Sequence, residues 1–440
     1  KPTRLTQPFS YTFGFQATPV KPLSKALHKW NFGSYNHTKH QTAQPWFTVH
    51  APQEGRWGVR NGKKLLAHDR KCREQGITQF YYSVASSTPE NNSTFDLYRG
   101  IWLNPYSLTF GPYSFRPHWK GWREPEPPYF LPGVDPASPS FQNLRLYNAR
   151  TMLRDYGVRG LYSDMDGVYA TDNLHAGGGY RDGFGKSGPS YGILGKRRVA
   201  KRLAALLRTV GGERRYWLTH EHNKLVPPVH AWADFWWPGE ELTNDLYKKK
   251  WFYMEDLDDV AWRVEYSSTA SGLEHVFLPE FGRGTKDPDD LTQAQPSESL
   301  LAMCAVNDVN CSGSYMNAQA METFWALRDE LGIADCPRKL YWEGDCPAKA
   351  LTASALASVY LSERGPVLAI VNRQPEETVV ELKLDLTGLG LAPGRALVAH
   401  DARRAVQIPL KGTVLHVPVA ARNYTFVSIR PEGDRAGSGR

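Results

Sequence analysis

The chain has 440 residues, 41% hydrophobic and 22% charged, the balance of a globular protein long enough for two domains. Its formal net charge of +8 comes from Lys and Arg spread along the chain, whereas nucleic-acid-binding proteins concentrate such charge on one element. No apolar stretch reaches the length that crosses a bilayer, and the glycine run Gly177–Gly179 does not follow the spacing of a dinucleotide fingerprint.

In chain order, residues 11–20 (YTFGFQATPV) read as a strand ending in a proline turn. Residues 62–76 show helical apolar spacing closed by Gly76, and TQFYYSVAS at 78–86 reads as a strand. Residues 87–135 are rich in Pro, Gly, Trp and Tyr and read as a long ordered excursion, of the kind that carries function. Then the chain alternates. Helices are expected over 140–157, 192–211, 298–308 and 321–332. Strands are expected over 158–166, 213–223, part of 230–242, and 273–281. Such alternation implies a parallel sheet with crossover helices.

After Pro347 the texture changes to short strands separated by Gly, Pro and Arg/Asp turns. The expected architecture is a (β/α)8 TIM-type barrel over 1–345, an antiparallel β-sandwich over 346–430 and a disordered tail over 431–440. The barrel is preferred over a doubly wound sheet because ionisable residues recur at the C-terminal ends of successive strands.

Four strand ends carry candidate chemistry: Asp164 with Asp166, His220 with His222, the segment from Asp234 to Glu240, and Glu280. Glycoside hydrolysis needs a proton donor to the leaving oxygen and a second carboxylate supporting the cation-like centre. Asp164 and Glu240 are the preferred catalytic pair. Strand alternation would turn Asp164 and Asp166 to the same face. The aromatic setting of Glu240 would raise its pKa and make it the acid. Trp232, Trp236 and Trp237 lie between the candidate carboxylates and are expected to offer at least one sugar-stacking wall. The spacing of His220 and His222 suits a metal, but no further ligand set is visible, so neither a metal nor any other cofactor is expected. Cys336 and Cys346 flank one short segment and are either bridged or free.

The stretches GLYSDMDGVYATDNLHAGGGYRD, SYGILGKRRVAKRLAALL, THEHNKLVPPVHAWADFWWPGEEL and LEHVFLPEF follow in the order seen in a bacterial glycoside hydrolase domain family of uncharacterised activity. That family resembles a relative of the β-N-acetylgalactosaminidase glycoside hydrolases. The resemblance runs from about residue 8 to about residue 430. It implies that Asp164 ends the fourth barrel strand. It further implies site positions at Asn173, His175, Tyr180, His220, Asp234 and Glu240. One departure stands out: the β-N-acetylgalactosaminidases carry an adjacent Asp-Glu pair at the fourth strand, whereas Asp164 is followed by Met165.

The sequence is therefore read as a glycosidase acting on a poly- or oligosaccharide, acidic glycans among the candidates. Expected substrate contacts are Asp166, Asn173, His175, Tyr180, His220, His222, Trp232, Asp234, Trp236, Trp237 and Glu280. No nucleic acid and no membrane span are expected, and a secreted or periplasmic location is. A polysaccharide lyase, a metal-dependent hydrolase and a non-catalytic glycan-binding protein are the alternatives; oligomeric state is left open.

Overall fold

The computed structural model describes residues 13–33, 39–47, 59, 62–86, 88, 93–104, 115–116, 129–130, 133–221, 225–281, 294–392 and 394–433. Seven parallel strands follow one another in chain order: β1 (Ala43–Phe47), β2 (Thr78–Val84), β3 (Gly160–Asp164), β4 (Tyr216–Thr219), β5 (Phe235–Trp236), β6 (Glu274–Phe277) and β7 (Asn310–Cys311). An eighth segment closes the ring. Phe32 forms a parallel bridge with Ala43, and its carbonyl accepts a hydrogen bond from the Gly313 N–H at 2.7 Å. Counted from Phe32, β3 is the fourth position of a (β/α)-barrel and β5 the sixth.

The alternation of side chains builds two layers from these strands. Phe32, Phe80, Tyr162, Leu218, Phe235 and Val276 pack inside the barrel. Their neighbours Leu161, Trp217 and Trp236 face outward, against Met152 and Leu153 of one helix and Leu203 and Leu207 of the next. Those helices are α3 (Pro139–Arg154) and α4 (Ile193–Thr209). They follow α1 (Gly62–Glu74) and α2 (Ser93–Trp102), and precede α5 (Ala294–Asn307) and α6 (Ala318–Leu331). No described helix is long and apolar enough to cross a membrane.

Residues 13–20, the described part of the first expected strand, form none, and Phe13 and Phe15 are exposed. With the ring closed by hydrogen bonds from 313 to 32 and from 33 to 43, the barrel offers no free edge to a further strand.

The C-terminal region is antiparallel. One sheet has six strands in the order β8 (Arg338–Lys339), β10 (Ala355–Ser362), β11 (Gly365–Asn372), β17 (Asn423–Pro431), β13 (Leu397–Asp401) and β14 (Val406–Ile408). The other has four, in the order β9 (Ala348–Ala350), β12 (Thr378–Leu384), β16 (Val414–Val419) and β15 (Leu410–Lys411). Their apolar faces meet through Val359, Leu368, Ile370, Val380, Leu382, Leu415 and Val427. The sandwich starts before residue 346, because Arg338 and Lys339 already pair with Tyr360 and Val359. Helix α5 is buried nearly all round: it lies between the barrel and the six-stranded sheet, in one core with Tyr360, Val367, Tyr424 and Phe426. Residues 434–440 of the expected tail lie outside the described residues. All five cysteines are free thiols, and Cys346 Sγ donates to the Lys339 and Ala348 carbonyls.

Candidate active site

Three consecutive strand ends bring the site together. Strand β3 runs inward-facing Tyr162, outward-facing Ser163, then Asp164, whose carboxylate points to the barrel mouth. Asp164 Oδ2 accepts from the Tyr82 hydroxyl at 2.7 Å and Oδ1 accepts from the Met165 N–H at 2.8 Å. After β4, His220 is fully buried. After β5, the chain turns at Gly239 into a short 3-10 helix, Glu240–Leu242. His220 Nε2 lies 2.7 Å from Glu240 Oε2 and 3.8 Å from Asp164 Oδ1, and its Nδ1 donates to the Trp237 carbonyl.

Burial alone would push the His220 imidazole down. The hydrogen bond to Glu240 and the charges of Asp164 and Glu240 overcome that and raise it to about 10. Tyr162 lies beneath them. Burial, then the proximity of Asp164, Tyr82, Glu240 and Tyr315, holds its phenol well above the ordinary tyrosine value. Glu241 is raised by burial, partly offset by bonds from Gly239 N–H at 2.9 Å and Tyr266 hydroxyl at 3.0 Å. Beside the site, Glu221 Oε2 accepts from Gly167 N–H at 2.7 Å and from the Tyr169 hydroxyl at 2.6 Å.

Asp166 does not join Asp164. Met165 sits in the left-handed region at φ 52, which reverses the alternation, and Asp166 turns outward beneath the helices. There it is 2.5 Å from Lys196 Nζ and 3.4 Å from Arg145 Nη1, and it accepts from Thr219 Oγ1 at 3.1 Å. Burial would raise its pKa, but Lys196 and Arg145 hold it at about 2. Asp234 is also elsewhere. It precedes β5, faces outward near Lys21 and Arg214, and accepts from the Trp217 N–H at 3.0 Å. Asn173 caps the turn 174–176 with its carbonyl oxygen, and its amide nitrogen donates to the Gly100, Ile101 and Leu103 carbonyls. That role is to tie the loop to α2. His175 and Tyr180 are exposed on the same loop.

The tryptophan cluster faces three ways, because neighbours in a strand point to opposite sides. Trp236 is buried on the outer layer and Trp237 is buried inside, where its ring meets Tyr162 and His220 edge to face. Trp232 lies outside the barrel, with Arg197 and Lys201 over its ring. The stacking wall expected from this cluster is therefore not built at the mouth. Glu280 is fully buried beside Tyr253. His222 lies outside the described residues.

Sequence reading missed Tyr82, Tyr162, Tyr315 and Glu221. Tyr82 could have been found: it shares the face of Phe80 and is two residues from the end of β2, as Tyr162 is from the end of β3. Among the described residues, no group of three or more His, Cys, Asp and Glu is arranged to hold a metal ion.

Comparison with known proteins agrees with this architecture. Residues 320–411 match the C-terminal domain of glycoside hydrolase family 123. No curated protein sequence matches the chain. An α-amylase from Anoxybacillus superposes with a TM-score of 0.59 at 7% identity, covering 93% of this chain and 99% of that one. A maltogenic α-amylase from Thermotoga neapolitana gives 0.58 at 10% identity, covering 91% and 99%. An α-amylase from Geobacillus thermoleovorans, solved with acarbose, gives 0.56 at 8% identity, covering 92% and 99%. The chain thus combines the barrel-and-sheet fold of these amylases with a segment that matches a glycoside hydrolase domain.

Proposed function

We propose that the protein is a glycosidase that retains anomeric configuration, with Asp164 as nucleophile and Glu240 as acid and base. The observation that carries this reading is that carboxylates from the fourth and sixth barrel positions converge on one imidazole nitrogen. Since His220 Nε2 is 2.7 Å from one and 3.8 Å from the other, their nearest oxygens are at most ~6.5 Å apart. Retaining enzymes hold their carboxyl groups about 5–5.5 Å apart, and inverting enzymes about 6.5–9.5 Å, leaving room for a water.

Asp164 suits direct attack. Two donors orient it, and its neighbours leave no second carboxylate for an acetamido-assisted route: Ser163 is buried with Arg145 and Trp217, and Met165 packs against Val84. Arg145 and Lys196 do not favour an acidic sugar, being buried on Asp166. Attack on the anomeric carbon forms a glycosyl ester while Glu240 protonates the leaving oxygen. Water deprotonated by Glu240 then hydrolyses the ester.

The test is a screen of chromogenic glycosides and natural glycans, including malto-oligosaccharides and N-acetylhexosaminides, with Asp164→Asn and Glu240→Gln alongside the parent. Both variants are expected to lose about 10³-fold or more in kcat/KM. An activated aryl leaving group should restore only Glu240→Gln, since such a group needs no proton. Turnover near the parent level in both variants would remove the pair from the chemistry.

A further inference from the structure

His220 carries more than a hydrogen bond, and simple proton counting shows it. A backbone carbonyl can only accept, so the contact to the Trp237 carbonyl requires a proton on Nδ1. The contact of 2.7 Å between Nε2 and Glu240 Oε2 requires a second proton between those atoms. The His220–Glu240 pair therefore stores one proton more than a neutral imidazole and a carboxylate would. Both nitrogens of the imidazole are committed, the ring is fully buried, and Trp237 and Tyr162 wall it at 6.0 and 6.5 Å between ring centres.

We propose that His220 is a positioning residue that stores the proton for the glycosidic oxygen and releases it through Glu240 as Asp164 loses its charge. This rests on the retaining reading above and deepens it. In the resting site the proton lies on the imidazole, between two carboxylates. As Asp164 attacks, its oxygen bonds the anomeric carbon and its negative charge disappears. The imidazolium then loses one of the two charges that hold its proton, and that proton moves to Glu240. Glu240 delivers it to the leaving oxygen as the glycosidic bond breaks and its electron pair goes to that oxygen. His220 is left neutral, still donating from Nδ1 to Trp237. In the second half, the proton taken from water by Glu240 returns to Nε2, and Asp164 departs as a carboxylate.

The groups around the imidazole support this direction. Besides Asp164 and Glu240, the titratable side chains near it are Glu241, Tyr162 and, around Tyr162, Tyr82 and Tyr315. Asp164 and Glu240 are the charges that raise it most, Glu241 attracts it more weakly, and of these three only Asp164 is consumed by the reaction.

The first experiment does not need a substrate. Nitrogen-15 NMR of the histidines in the full chain should show His220 doubly protonated at about pH 7. In Asp164→Asn, its titration midpoint should fall by about one pH unit or more, as expected when a nearby charge is removed. A neutral His220 at that pH, or an unmoved midpoint, overturns the proposal even if the protein is an active glycosidase. The second experiment uses His220→Gln, which can donate to Glu240 but cannot store a proton. With poor leaving groups its kcat/KM should fall about 100-fold, with the alkaline limb moved toward acid. With a dinitrophenyl leaving group the fall should stay below about tenfold. Equal losses for both leaving groups and an unchanged pH profile would make His220 merely structural. Doubly protonated His220 without any glycosidase turnover would sink the retaining reading while leaving the proton count standing.

Discussion

At the scale of single residues, two carboxylates two positions apart have opposite fates. Asp164 ends a strand and faces the mouth, whereas Asp166, one left-handed residue later, is locked under the helices by Lys196 and Arg145. Removing one partner of a buried ion pair leaves the others uncompensated. Asp166→Asn is therefore expected to destabilise the fold by about 3–5 kcal/mol, measured by chemical denaturation at neutral pH. The folded pKa of about 2 lies below the ordinary 3.8. The contribution is thus present above about 3.8 and lost as pH falls toward 2, so the difference between parent and variant should shrink in acid. A variant as stable as the parent would show that the triad contributes nothing net.

At the scale of elements, the turn after β5 decides where Glu240 stands. Gly239 has φ 121, and a Cβ added there would sit 2.5 Å from the Leu278 carbonyl oxygen. Only glycine lets the turn pass that close to the loop after β6 and still place Glu240 against His220. Gly239→Ala should move the Glu240 turn and lower kcat by about 10–100-fold, the scale of a small misplacement of a reacting group. Its circular dichroism should match the parent. Unchanged kcat on the best substrate would mean that the turn yields without moving Glu240.

At the scale of the whole molecule, a second buried network fastens the opposite end of the barrel to the sandwich. His28 Nδ1 is 2.8 Å from Glu274 Oε1 and its Nε2 is 3.0 Å from Asp308 Oδ1. Arg338 of β8 pairs with Asp308, while Asn310 bonds Glu274 at 2.7 Å and Arg328 bonds Asn310 at 2.7 Å. Burial would lower the His28 pKa, but Asp308 and Glu274 raise it from 6.5 to about 9. Its contribution to stability is complete below about 6.5 and is lost as pH rises through about 9. Denaturation midpoints of the parent should fall across that window, and those of His28→Gln should fall less. Parallel curves would show that His28 is not charged in the fold.

Most strands and helices from residue 62 onward were legible in the sequence, because apolar periodicity and glycine stops are local signals, but the helix at 93–102 and the strand at 310–311 were not. Also legible were the change to an antiparallel sandwich and the places of Asp164, His220 and Glu240 at or just after strand ends. The strand at 43–47 and the bridge at Phe32 were not read, because they are short and gain their hydrogen bonds only from strands far along the chain. The single residue at φ 52 that turned Asp166 away, the three directions taken by Trp232, Trp236 and Trp237, and Asp234's place outside the barrel depend on backbone phase. Composition carries no record of that phase. Spacing placed two carboxylates at strand ends, but only closure of the ring brought both to one side of His220 and made a shared proton out of three separate motifs.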